Sequence, residues 1–431
     1  MKKSMKKQSQ PPQSQADRAI WAVVCLALVL RLVYALAIAP AGYHGPDERL
    51  YDRIATRLIT EGKYEAEDHF DKAPERPVAF ERSKASRPVL FPFFLAGVRA
   101  VFGGGFAMPR VFQCLLGALT CGLVYSLGKE AFGRRAAIMA GAGAALFPQL
   151  IYYCGTLTTE TLHIFMLTSA VYLLFAARRR DAGLPWWAAG GLCLGLAVLA
   201  RSALLPFVPA AVLSVLISMK EKRTAAVRCA VIAAAATIAM APWVIRNYRE
   251  FGAFVPATTE GGYTFWLTNN PAATGGGECY LPADMRAFAG LSEVQADRLF
   301  YRMGFEWIRA NPGQFIRLCG AKFVRLWRPW PHADEVGLRA ALIGGVSFVP
   351  LALLAAWGLA ITWRRRRELL LFYLLIGCIT AVSCLYMAVT RYRAPLMPVL
   401  LVPAGHAAAE LLARAVSARK TAANDRAAKP S

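Results

Sequence analysis

Two adjacent acids, Asp47 and Glu48, stand within ten residues of the end of a long apolar run. A carboxylate at such a boundary can act as a general base, taking the proton of a hydroxyl whose oxygen forms a new bond. The same pair can instead cap a helix that starts at Pro46, because acids favour a first helical turn. Spacing alone leaves both readings open. Arg87 precedes a proline where the chain returns to apolar sequence, and a guanidinium at that depth suits a phosphate or simple interfacial anchoring. Arg201, Arg246, Arg391 and Arg393 each end an apolar run. Glu160 closes Thr156-Leu-Thr-Thr-Glu160 at the start of another, where a helix-start carboxylate is the plain alternative. Acids and arginines together fit a group transfer to a hydroxyl in which a charged phosphate departs.

These residues need elements that hold them at one level. Apolar runs near 19–40, 106–127, 136–153, 159–177, 184–200, 203–219, 229–245, 340–362, 369–389 and 394–413 are long enough, or nearly so, to span a bilayer. The expectation is an all-α polytopic membrane protein with about ten transmembrane helices. With the N-terminus in the cytoplasm, the basic clusters Arg134-Arg135, Arg178 to Arg180, Lys220 to Arg223 and Arg364 to Arg367 all fall inside. Two long polar stretches, 41–87 and 246–339, then lie outside, and so do the run-ending arginines, where positive-inside anchoring gives no reason for them. Arg31, within the first run, must face the bundle or snorkel, and its functional and structural readings are equal.

The first stretch continues from Gly42-Tyr-His-Gly-Pro-Asp-Glu-Arg-Leu-Tyr51 with apolar residues at helical spacing, which predicts an interfacial amphipathic helix. Arg87 to Gly97 is apolar, broken by proline and too short to span, so it belongs at or just below the outer surface; as a full span it would move Glu160 to the other face. The second stretch contains the turn-rich Thr268 to Gly277 and a helical pattern from about Ser292 to Trp327. It reads as a compact cap. The divisions are a disordered cytoplasmic tail over 1–18, a membrane core over 19–245 with its first outer loop at 41–105, the cap loop over 246–339, C-terminal spans over 340–413 and a cytoplasmic tail over 414–431.

The composition agrees. The 431 residues are 56% hydrophobic, and the net charge of +23 is gathered at the ends of apolar runs, which suits anionic headgroups and not a nucleic acid. The ten cysteines lie mostly inside apolar runs and read as small core residues. Cys154, Cys279 and Cys319 fall near the outer face without paired spacing. No metal-ligand cluster, nucleophile elbow or phosphate-cradling glycine loop is visible.

The ordered segments Pro46-Asp-Glu-Arg-Leu-Tyr51, Arg87-Pro-Val-Leu-Phe-Pro92, Arg110-Val-Phe-Gln113, Phe132-Gly-Arg-Arg-Ala136, Thr159-Glu160, Leu199-Ala-Arg201, Pro242-Trp-Val-Ile-Arg-Asn247, Asn269-Asn-Pro271 and Arg391-Tyr-Arg-Ala-Pro395 give the chain a likeness. It resembles bacterial glycosyltransferases with the C-type membrane fold, in the family 39 branch similar to protein O-mannosyltransferases and the lipid A aminoarabinose transferase. The resemblance implies a polyprenyl-phosphate sugar donor, an inverting transfer and an active surface on the outer side of the inner membrane. It implies that Asp47, with Glu48 beside it, supplies the base, and that Arg87 with Arg201, Arg246, Arg391 and Arg393 meets the carrier phosphate. Tyr51, Glu160 and Asn269 are the residues implied to position substrate. In some relatives an acid at the position of Glu160 assists a metal, so a divalent ion enters as a candidate cofactor. Relatives often have lysine in place of Arg87 and aspartate in place of Glu160. The short chain, without a separate soluble domain, favours a lipid or envelope polysaccharide as acceptor over a protein. The rival is a transporter or flippase of lipid-linked saccharides, which predicts related halves and paired broken spans that the sequence does not show.

Overall fold

The computed structural model describes residues 18–67, 82–276, 288, 290–331 and 337–427. The expected N-terminal tail up to residue 17 and Cys279 lie outside them. The described chain is helical apart from one two-residue antiparallel ladder, Ala66–Glu67 with Arg82–Ser83.

Among the described residues, six helices are long and apolar enough to cross a membrane: Arg18–Ile38, Ala107–Phe132, Glu160–Arg179, Lys222–Phe251, Leu338–Ile361 and Thr390–Thr421. The pair Arg134–Leu146 and Pro148–Gly155, bent by 54°, makes a seventh if counted as one span. The remaining expected spans are the shorter apolar helices Leu184–Ala200, Ser202–Ser218 and Leu370–Leu385, so ten is not reached by length and composition. This is a multi-pass membrane protein. The expected C-terminal tail is helical as far as Ala427, continuous with the last span.

We number the helices α1 (Arg18–Val33, extended by a π-turn to Ile38), α2 (Pro46–Thr60), α3 (Leu90–Phe102), α4 (Ala107–Phe132), α5 (Arg134–Leu146), α6 (Pro148–Tyr152), α7 (Glu160–Arg179), α8 (Leu184–Ala200), α9 (Phe207–Ser218), α10 (Lys222–Phe251), α11 (Gly261–Leu267), α12 (Glu293–Ala310), α13 (Pro312–Trp327), α14 (Leu338–Ile361), α15 (Leu370–Leu385) and α16 (Met397–Ala427). Helix α8 packs between α7 and α10, and α5 between α4 and α16. In lipid the hydrophobic effect does not drive helices together, so close backbone approach and small residues carry this packing. Gly191 and Gly195, one turn apart on α8, show it: a Cβ at either would lie 2.5 Å from a carbonyl oxygen of α10, that of Ile232 or Ala236.

Arg31 resolves to the structural reading. Its side chain is buried in the bundle, where the guanidinium donates to the carbonyls of Ala144 (3.1 Å) and Ala145 (3.2 Å), and to that of Ala27 one turn back (3.1 Å). Ala144 and Ala145 end α5, where Pro148 breaks the helix and removes donors that would have served them. The buried cation replaces those donors.

The segments between the membrane helices form the layer that carries the site. On α2 the buried side chains Leu50, Tyr51, Ile54 and Ala55 make the expected amphipathic face, and Tyr51 and Ala55 pack with Phe91 and Leu95 of α3. Arg110 of α4 anchors the entry to α2 by donating to the carbonyls of Pro40 (2.8 Å) and Gly42 (3.3 Å). The cap, α11 to α13, has a core of its own built from Tyr263, Trp266, Phe288, Ala296, Phe300 and Trp307. Ser292 and Gln295 start α12 with a reciprocal capping box. Glu293 ties the cap to the strand-like strap at 82–89, accepting the backbone N–H groups of Lys84 (2.9 Å) and Ala85 (3.1 Å).

The role of Arg31 is testable. Arg31→Met leaves the two carbonyls at the α5 break without their donor, at about 1–3 kcal/mol each. Thermal unfolding in detergent should show a clear loss of stability, smaller in Arg31→Lys; an undiminished melting temperature for Arg31→Met would show that the break holds itself.

Candidate active site

The site is a cavity of about 500 Å³ between one end of the membrane helices and the cap. It receives residues from five places in the chain: Asp47 and Tyr51 from α2, Arg87 from the strap, Arg201 from the end of α8, Glu260 from the start of α11 and Arg391 from the 3-10 turn Thr390–Leu396. The positions follow from local chemistry. Pro46 stands at the first position of α2, which points Asp47 and Glu48 out of the first turn in different directions. Arg201 ends α8 in extended conformation, and Glu160 opens α7.

One chain of charges organises the cavity wall. Glu160 is completely buried, with Oε1 accepting from Arg201 Nη1 at 3.0 Å and from Arg391 Nε. Arg391 in turn donates through Nη1 to Asp47 Oδ2 at 2.8 Å. Arg87 pairs with Glu260 at 3.1 Å, and the ring of Tyr392 lies 4.5 Å from the guanidinium carbon of Arg201. Burial on its own would raise the pKa of Asp47, but Arg87 and Arg391 outweigh it and hold the carboxyl below its usual value. Burial would likewise lower that of Arg87, and Glu260 and Asp47 raise it instead, so the guanidinium stays charged. Asp47 is about one-third exposed, toward the cavity. The arrangement presents an ionised carboxylate beside fixed positive charge, able to accept a proton and to hold an anion.

The other residues singled out in the sequence have different work. Glu48 is buried, does not line the cavity, accepts the backbone N–H of His44 just ahead of α2 at 3.0 Å, and has its pKa raised by burial. Arg393 donates to the carbonyls of Leu326 (3.1 Å), Arg328 (2.5 Å) and Pro329 (3.3 Å), fastening the end of α13 to the bundle. Asn269 accepts from the buried Lys322 at 3.0 Å and donates to Leu385 O at 2.9 Å, which docks the cap on α15. Arg246 spends its guanidinium on the carbonyls of Lys84 (2.7 Å) and Tyr64 (3.3 Å) and lines a separate cavity of about 680 Å³, whose wall combines Leu90, Phe93, Leu199 and Trp243 with the charged Lys63, Glu65, Lys84 and Glu250. The backbone of the strap divides the two cavities, with Tyr64 donating to Arg87 O at 2.8 Å.

Sequence reasoning missed Glu260, His163, Asp297, Tyr301, Tyr386 and Tyr392, which also line the 500 Å³ cavity. Two carried a local signal: His163 lies one helical turn after Glu160 on α7, and Tyr392 stands between Arg391 and Arg393. The others come from the cap or follow an apolar run, and nothing in their neighbourhoods marks them.

The donor set does not fit a divalent ion. Among the described residues no three of His, Cys, Asp and Glu converge, and two acids of the site, Asp47 and Glu160, are bridged by the guanidinium of Arg391, whose charge stands between them.

Residues 86–245 match the family model described as dolichyl-phosphate-mannose-protein mannosyltransferase. No curated protein sequence matches the chain. Among solved structures, the oligosaccharyltransferase AglB from Archaeoglobus fulgidus, in complex with an inhibitory peptide and a dolichol-phosphate, is 15% identical over 96% of this chain and 52% of its own, with a TM-score of 0.57. The apo form of the Archaeoglobus fulgidus oligosaccharyltransferase is 14% identical over 96% and 53%, with a TM-score of 0.58. ArnT from Cupriavidus metallidurans bound to undecaprenyl phosphate is 15% identical over 91% and 78%, with a TM-score of 0.45. The chain spans about half the length of the oligosaccharyltransferases it matches. Its agreement with them over nearly all of its own length gives this protein the C-type membrane fold of glycosyltransferases.

Proposed function

We propose that the protein is a glycosyltransferase that moves a sugar from a polyprenyl-phosphate carrier to a hydroxyl of a lipid or envelope polysaccharide, on the extracytoplasmic face of the inner membrane. The observation that carries this reading is Arg391, which links Asp47 to Glu160 in a cavity at the membrane boundary and so sets an ionised carboxylate against fixed positive charge. The match of residues 86–245 to a dolichyl-phosphate-mannose-dependent family supports the class of donor.

In this reading the donor phosphate enters beside Arg87 and Arg391, and its sugar projects into the 500 Å³ cavity. The apolar side of the cavity across the strap, lined by Leu90, Phe93, Leu199 and Trp243, takes the isoprenoid chain, with Arg246 in the same cavity. Asp47 accepts the proton of the acceptor hydroxyl as the acceptor oxygen bonds to the anomeric carbon. The bond from that carbon to the phosphate oxygen breaks, and its electron pair leaves with the phosphate. A diester with one negative charge becomes a monoester carrying more, and the arginines stabilise charge that grows along the reaction coordinate. A single displacement inverts the anomeric centre. The phosphate also competes with Asp47 for Arg391, which loosens the ion pair and makes the carboxylate a better base when donor is bound. Glu160 holds Arg391 and Arg201 in place throughout.

Two outcomes test the scheme in protein reconstituted with undecaprenyl-phosphate sugars and membrane-derived acceptors. Asp47→Asn should lower the turnover rate about 10²- to 10⁴-fold, the usual worth of a positioned base, while binding of undecaprenyl phosphate persists; unchanged transfer removes Asp47 from the chemistry. Because its pKa is lowered in the folded protein, Asp47 stays ionised as pH falls through neutrality, and base function is lost only as pH drops into the carboxylate range. Exhaustive chelation should leave the rate unchanged, since Arg391 already occupies the position between the acids. A rate lost on chelation and restored by magnesium or manganese would overturn that assignment.

A further inference from the structure

Helix α12 presents two unlike faces. Ala296, Phe300 and Trp307 turn into the core of the cap, whereas Val294, Asp297, Arg298 and Tyr301 line the catalytic cavity. The second set follows the i, i+3, i+4, i+7 spacing of one helical stripe, and three of its four members are polar. In sequence such a stripe is indistinguishable from a solvated surface. In the structure it forms the cavity wall contributed by the cap, whereas Asp47, Arg201 and Arg391 come from the membrane bundle.

That wall is built with small tolerances. Asp297 Oδ1 accepts the backbone N–H of Gly262 at 2.6 Å, which fixes the carboxylate plane and leaves Oδ2 to the cavity. The contact requires the start of α11 to lie against α12: a Cβ on Gly262 would stand 2.0 Å from the Asp297 carbonyl oxygen, and one on Gly261 2.3 Å from the Tyr301 hydroxyl. One turn along, the Tyr301 and Tyr386 hydroxyls are hydrogen-bonded at 3.0 Å, joining the cap to the end of α15. Burial pushes Asp297 up to about 7, with the Gly262 N–H and Arg298 acting against this and Glu260 and Glu293 reinforcing it. Near neutrality the group therefore serves both as acceptor and as donor. A fixed carboxyl beside a tyrosine pair supplies acceptors, donors and an aromatic face, which is the chemistry that vicinal hydroxyls on a saccharide ring require.

We infer that Asp297, supported by Tyr301, binds the hydroxyls of the donor sugar and selects which sugar the enzyme transfers. The inference rests on the donor reading above. It divides the work of recognition between two bodies of the fold, since the bundle holds the phosphate common to all such carriers and the cap reads the part that differs. Neither Asp297 nor Tyr301 takes part in proton transfer.

The test uses the full chain in nanodiscs and compares binding of undecaprenyl phosphate, undecaprenyl-phosphate mannose and undecaprenyl-phosphate glucose. The wild type should bind at least one glycosylated lipid more tightly than the bare phosphate, by roughly 10- to 100-fold, the worth of a hydrogen bond to a charged group. In Asp297→Asn and Asp297→Ala that gain should shrink or vanish, while the bare lipid binds as before. If bare-lipid binding is also lost, Tyr301→Phe, which removes a single oxygen, decides: a reduced sugar gain supports the inference and a full one overturns it. A gain that survives both Asp297 substitutions, or no gain in the wild type, overturns the inference and leaves the donor reading standing. Failure of the wild type to bind any of the three lipids removes the donor reading and this inference with it.

Discussion

A guanidinium shared between two carboxylates sets the form of the cavity wall. Glu160 is buried completely at the start of a membrane span, a placement that is costly unless the charge is met on the spot. Arg201 and Arg391 meet it, and because they arrive from the ends of two other apolar helices, the three helix ends are locked at one level. Arg391 then extends the lock to Asp47 on the interfacial helix. Remove the shared cation and four segments lose their common reference point. The same contacts that hold these segments together set an ionised carboxylate beside fixed positive charge.

The membrane fold was legible from the sequence because lipid leaves so few options. A spanning segment must satisfy its own backbone within lipid, so runs of hydrophobic residues name the helices. The amphipathic helix after Pro46 was equally plain. What length and hydropathy could not supply was the bend at Pro148, where one span becomes two pieces, or the continuation of the final helix to Ala427 through a polar stretch. Arg31 is the instructive case. Its position within an apolar run marked it as unusual, but its partners, the carbonyls of Ala144 and Ala145, lie more than a hundred residues away and carry no side-chain signature.

The site was legible by halves. Asp47, Arg87, Glu160, Arg201 and Arg391 stood out because each is a charge at the edge of apolar sequence, and the structure gathers all five. The same criterion also selected Arg246, Arg393 and Glu48, whose hydrogen bonds go to backbone groups, while the uncharged Asn269, named by the family resemblance, docks the cap. A charge at a helix end has two uses, to bind a ligand or to satisfy stray carbonyls and N–H groups, and only the fold tells them apart. The cap residues failed the criterion altogether. Polar residues in a polar stretch are unremarkable until tertiary packing turns one stripe inward, which is why Glu260, Asp297 and Tyr301 were invisible.

The 3-10 turn bearing Arg391 runs directly into α16, a helix of 31 residues and so roughly 46 Å long at 1.5 Å per residue. The arginine is in effect mounted at the near tip of a long rod that has Pro403 within its length. Tilting or sliding that rod by a fraction of a turn would shift the guanidinium relative to both acids at once. A leverage of this kind makes the setting of the ion pairs sensitive to bilayer thickness and to whatever grips the distal end of the rod.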